Sequence, residues 1–260
     1  MRKKSPDRER NSPAADERKL AIIGHLVELR SRLLKSVIAA GVCIGASFAF
    51  VPYVFDFLKS RAPDVELIYI TPTGMLGTYM KVAIYCGLAL ALPILVYELL
   101  MFLSPALKRN EKRYIYRSLP AVVIFFIAGV AFSYFVLLPP ALGFLQRFNL
   151  GITPLWTVDK YVSLVVQLLF WVGLVFELPF LMFLLSKLGV VTPQWLAKKR
   201  KYNLIFAFIL GAAITPTFDP VNQCLVALPI VLLYEIGILL AKLARKGEVP
   251  LVPAEAEATE

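Results

Sequence analysis

The stretch FLSPALKRNEKRYIYR, Phe102 to Arg117, separates two long apolar runs. It carries five basic residues (Lys108, Arg109, Lys112, Arg113, Arg117) and a single acid, Glu111. A lone carboxylate ringed by cations stays ionised. Two readings follow. The stretch is a solvated hinge between membrane helices whose charges set their orientation, or Glu111 is a receptor for something cationic.

The surrounding chain decides the fold class. Of 260 residues, 58% are hydrophobic, against about 45–50% in soluble domains. This composition predicts an all-α integral membrane protein. The net charge of +10 then reads as basic loops facing anionic lipid headgroups, not as a nucleic-acid surface. Cys43, Cys86 and Cys224 are far apart in apolar runs and form no CxxC, so they read as small buried hydrophobes. The single histidine, His25, excludes histidine-based metal clusters, and no cofactor is expected.

Residues 1–18 are polar and predict a disordered arm. They lack the short flank and early apolar run of a signal peptide. From Lys19 to Leu34, apolar residues recur at helical spacing, predicting an amphipathic helix in the headgroup region that leads into the first span. Glu28 and Arg32, four apart, read as a helical ion pair. The first span is predicted over Leu33–Phe55, followed by a connector from Phe55 to Thr73 with a short interfacial helix. The second apolar run, Gly74–Leu103, exceeds a bilayer core of about 30 Å and must tilt or kink at Pro93. The third span is predicted over Ser118–Leu138, with Pro139-Pro140 near its end and a connector from Pro140 to Lys160. The fourth covers Tyr161–Leu185. Thr192-Pro193 reads as a helix start, threonine capping and proline at the first position. Asn203–Ile214 is a fifth, short run, and Val221–Ala241 returns across after a turn at Thr215–Pro220. The membrane domain thus covers 19–245, with a disordered tail at 246–260.

Six spans put both termini on one side. Most of the 28 basic residues fall on that side, and only Lys59, Arg61, Arg147 and Lys160 on the other. The positive-inside rule makes both termini, and Glu111, cytoplasmic.

Three carboxylates sit inside apolar runs. Glu98 and Glu235 lie near the cytoplasmic ends of their spans, within snorkelling reach. Glu177 lies near mid-membrane, just before Pro179, where a charge costs about 2.5–3.5 kcal/mol on insertion scales. Asp219 reads as a cap for the last helix, accepting from the amides of residues 221 and 222. Gln223, one turn in, needs a partner helix.

Taken in order, these motifs resemble one family. His25-Leu-Val-Glu-Leu-Arg-Ser-Arg-Leu33 resembles the amino-terminal signature of the TatC family. Phe102-Leu-Ser-Pro-Ala-Leu107 with Glu111-Lys-Arg113 resembles its first cytoplasmic loop, and Phe176-Glu-Leu-Pro179 its fourth-span motif. Ile214-Thr-Pro216 with Asp219 and Gln223 resembles its last external turn; Pro229 and Tyr234-Glu-Ile-Gly237 fit its last span. The resemblance implies a concave, cup-like bundle of six helices, the last two short, in the bacterial cytoplasmic (inner) membrane. It implies the receptor and core subunit of the twin-arginine translocase, a non-enzymatic machine that exports folded proteins using the proton-motive force. The implied partners are TatA/TatB-type single-span proteins, twin-arginine signal peptides, further copies of the chain and membrane lipids. By the same resemblance, Glu28 and Glu111, with Arg30 and Arg113 beside them, bind the signal peptide. Glu177 and Glu98 are the intramembrane polar positions, and Thr215, Asp219 and Gln223 lie near the partner-docking surface. Glu98 stands where many relatives carry glutamine, and the Thr215–Gln223 turn is one residue longer than in some relatives.

The alternative function is a proton-coupled small-molecule transporter using Glu177. It calls for paired repeats, and the two halves show none. An intramembrane enzyme would need a nucleophile with its base, or a metal cluster. No HExxH, GxSxG or aspartate dyad is present.

Overall fold

The computed structural model describes the backbone of residues 13–60, 67–102, 109–147, 155–214 and 220–244, and side chains from residue 23 onward except at 72 and 109–118. The described chain is helical: α1 (Pro13–Ser47), α2 (Val51–Lys59), α3 (Pro72–Phe102), α4 (Arg109–Phe132), a π-helical stretch (Ser133–Leu137), α5 (Leu138–Arg147), α6 (Val158–Lys187), α7 (Pro193–Lys198), α8 (Arg200–Ile214) and α9 (Pro220–Ala244). An isolated parallel bridge joins Ile68 to Thr157.

Four segments are long and apolar enough to cross a membrane: Thr73–Phe102, Leu119–Arg147, Val158–Lys187 and Pro220–Ala244. A fifth is reached if Ile23–Ser47 and Val51–Lys59, bent by 69°, count as one broken span. The 15 residues of α8 extend only about 22 Å, short of a bilayer core of about 30 Å.

Two compact units divide the chain: 1–54 with 79–120, and 55–78 with 121–260. In the first, α1 and α3 run antiparallel. His25 stacks on Phe102 at 4.5 Å. At the other end the buried Ser47 hydroxyl lies 2.7 Å from the Ile44 carbonyl and 2.6 Å from that of Ala83, donating to one at a time. Gly87 lets the helices touch: any Cβ there would overlap the Ile44 backbone.

In the second unit α6 is the central post. Gly129 of α4 meets Gly173 and Phe176 of α6, and Gly237 of α9 meets Met182 and Pro179. Such small-residue contacts bring helices close where lipid supplies little hydrophobic drive. The Tyr161 hydroxyl donates to the Leu58 carbonyl at 2.9 Å. The Ser60 and Tyr134 hydroxyls lie 3.1 Å apart. α6 ends in a Schellman turn. Gly189 adopts φ 74°, its N–H donates to Ser186 and the Val190 N–H to Leu185, as the motif requires. Thr192 then caps α7 as expected, accepting from the Trp195 amide at 3.1 Å.

The structure departs from the sequence reading in four places. First, α1 starts at Pro13, inside the arm for which the sequence predicts disorder. Second, α1 runs unbroken to Ser47; a helix lying in the headgroup plane needs a break before it turns inward, and none occurs. Third, the helix of the first span stops at Ser47 and not at Phe55, and α2 leaves at 69°. Pro52 is tolerated because it falls in the first turn of α2. Fourth, the third span continues through Pro139-Pro140 to Arg147. The preceding π turn explains this: the Leu138 amide bonds back to Ser133. That wider turn displaces the carbonyls with which proline rings would collide. The tail from 246 lies outside the described residues.

Candidate functional site

Glu28 and Arg32 stand one turn apart on α1, and their predicted pairing is present. The Arg32 Nε and Nη2 both donate to Glu28 Oε1, at 2.9 and 2.7 Å. The same guanidinium reaches α3, where Nη1 donates to Glu98 Oε2 at 3.0 Å. Glu98 is therefore not snorkelling. It is only 8% exposed and is held by a cation from the neighbouring helix. Planar geometry allows this, since a guanidinium presents donors on two edges and serves two carboxylates at once. Arg32 occupies one oxygen of each acid. Glu28 Oε2 and Glu98 Oε1 keep no partner among the described residues. The arrangement is a diacid with one bound cation and two oxygens left to accept from another.

The pairing of Glu98 with Arg32, 66 residues apart, was missed by sequence reasoning. The available signal was the acid itself: a carboxylate inside an apolar run needs a cation, and α1 supplies one facing α3. Arg30 is not brought into the cluster. Two residues from Glu28, it lies about 200° around the helix and is exposed. Glu111 and Arg113 fall in the first turns of α4, and their side chains lie outside the described residues.

Glu177 is enclosed, at 2% exposure. Neither carboxylate oxygen has a side-chain donor in bonding geometry among the described residues; the Phe126 backbone on α4 is the polar group that approaches. Enclosing a carboxyl in this way is costly. Glu235 pairs with Arg200 at 2.8 Å, in an exposed position. Gln223 donates to the Phe208 carbonyl of α8 at 2.9 Å. It borders an open recess of about 500 Å³ lined by Leu204, Ile205, Phe208, Ile209 and Ala212. Thr215 and Asp219, with the expected cap on α9, lie outside the described residues.

An all-helical membrane protein with a paired-carboxylate cluster is the class that fold and site define. Residues 24–229 match the model of the family described as Sec-independent protein translocase protein (TatC). The chain is 42% identical over 229 residues to the Aquifex aeolicus protein of that name, covering 85% of this chain and 95% of the relative. It is 36% identical over 237 residues to the chloroplast protein of Arabidopsis thaliana, covering 90% of this chain and 70% of the relative. A crystal structure described as the twin arginine translocase receptor TatC superposes with a TM-score of 0.74 at 41% identity, covering 85% of this chain and all of that one.

The chain belongs to the TatC family. It is a membrane component of the twin-arginine, Sec-independent protein translocase, and not an enzyme. The transporter alternative is not favoured, because Glu177 is enclosed by its own chain and the family is one of protein translocases.

Proposed function

We propose that this chain is the receptor subunit that captures twin-arginine signal peptides at the cytoplasmic face of a bacterial inner membrane. The observation that carries the reading is the Arg32 bridge between Glu28 and Glu98, which leaves one oxygen on each acid without a partner among the described residues. Guanidinium is the cation for planar, forked recognition of such oxygens, and lysine is not equivalent. Glu111, in the basic stretch at the start of α4, supplies the carboxylate for the second arginine. The surrounding cations repel unselective ligands.

Six spans, with α8 as a short fifth, keep both termini and the first loop cytoplasmic, in accord with the distribution of basic residues. TatA/TatB-type single-span proteins dock near Gln223, where the recess beside α8 offers an apolar groove with one amide. Copies of the chain associate, and the proton-motive force drives export.

The test is export in a bacterial cell lacking its own TatC. Supplied with this chain and its partners, the cell is expected to deliver a folded reporter bearing an Arg-Arg signal to the periplasm. Export independent of that arginine pair would overturn the reading.

Glu177 separates folding from function. Glu177→Gln removes an acid that no side chain among the described residues satisfies. Its thermal stability is expected within about 1 kcal/mol of wild type, or above it. Export is expected to fall steeply, because the amide keeps the shape and an acceptor oxygen but has neither the charge nor the exchangeable proton of the acid. A large loss of stability in that variant would show that Glu177 serves packing instead.

A further inference from the structure

Cations are gathered on aromatic rings where α7 meets α8. The Lys199 ammonium lies 5.7 Å from the Trp195 ring centre and 4.9 Å from that of Tyr202. Lys201 lies 5.4 Å from Tyr202. Trp195 and Tyr202 are about half exposed, and Lys198, Lys199 and Lys201 are exposed. The platform is fixed from beneath: the buried Tyr234 hydroxyl of α9 donates to the Leu196 carbonyl at 2.9 Å. Glu235 neutralises Arg200. No acid occurs from Ser186 to Tyr202, and no carboxylate pairs with the three lysines among the described residues. Three positive charges therefore remain. Within one turn, Leu204, Ile205 and Phe206 open the exposed apolar face of α8. Leu204 is about 5 Å along the axis from Lys201, so the cations border that apolar face.

We propose that Lys198, Lys199 and Lys201, with Trp195 and Tyr202, form a binding site for the headgroup phosphate of an anionic phospholipid. Orientation alone asks only for charge, and mobile lysines would serve it. Here the lysines are held over rings, on a turn tied to α9, next to the apolar zone that accepts acyl chains. Compact ammonium groups suit a phosphate, and interfacial tryptophan and tyrosine suit the boundary. The site needs only that the protein lies in a membrane; it is independent of the signal-peptide reading.

The experiment is native mass spectrometry of the full chain from mixed micelles of phosphatidylglycerol and phosphatidylcholine. Wild type is expected to retain phosphatidylglycerol preferentially. K198Q/K199Q/K201Q is expected to weaken that retention roughly a hundredfold, each lysine being worth about a factor of five at an anionic surface. W195L/Y202L, with every charge kept, is expected to weaken it as well. R2Q/K3Q/K4Q, with the same charge removed elsewhere, is expected to keep it. Unchanged retention in either site variant, or equal loss in the charge-matched control, would overturn the site. Competition by soluble glycerol phosphate as effective as the lipid would overturn its assignment to a lipid. Should the triple variant not fold, W195L/Y202L decides alone.

Discussion

Valine at Gly129 is expected to cost about 3 kcal/mol of stability, the upper end of the overpacking range. A Cβ at Gly129 would lie 2.8 Å from the Gly173 Cα and 2.8 Å from the Phe176 Cβ on α6. Neither is the tip of a flexible side chain, so the helices themselves must separate. In lipid that separation forfeits the dispersion contacts that hold them together. Phe176 directly precedes Glu177, so the enclosed acid is disturbed too. Thermal unfolding of the purified protein is the measurement, with Gly129→Ala expected between wild type and valine. Gly45→Ala is the control, because nothing lies within 4 Å of its Cβ position; it is expected to lose nothing. Equal losses at Gly129 and Gly45 would mean that the α4–α6 contact is not close.

Arg32→Ala is expected to cost about 2–3 kcal/mol and to abolish capture of an arginine-bearing peptide. Deleting one member of a fully buried ion pair costs about 3–5 kcal/mol. The figure is smaller here because Arg32 and Glu28 keep side-chain exposures of 19% and 35%. Glu98 is the acid that suffers, left buried and uncompensated. Adding Glu98→Gln to Arg32→Ala should therefore recover stability without recovering capture, since an amide needs no counter-charge. Arg32→Lys should fall between, because one ammonium cannot fork to two carboxylates. Wild-type stability in Arg32→Ala would contradict the bridge.

What the sequence reveals and what it hides divide along the range of the interaction. Thr192-Pro193 announces α7 because capping is decided within four residues, and the Schellman turn at Gly189 is equally local. The Glu28–Arg32 pair follows from helical spacing alone. Pro139-Pro140 misleads for the opposite reason. Proline reads as a stop, and only the π turn before it, with Leu138 bonded to Ser133, shows how the helix continues. The end of α1 at Ser47 is hidden too, because the Ser47 hydroxyl also reaches Ala83 on α3, a contact invisible along one strand of chain. The diacid site divides in the same way: its Glu28 half is legible by spacing, and its Glu98 half depends on which faces of α1 and α3 meet.

The central claim is that this chain reads paired arginines. The direct measurement is crosslinking in membranes of a signal peptide bearing Arg-Arg against the same peptide bearing Lys-Lys, with wild type and Glu111→Ala side by side. The predicted result is capture of the Arg-Arg peptide alone by wild type, lost in Glu111→Ala. Equal capture of both peptides, or none by wild type, would contradict it.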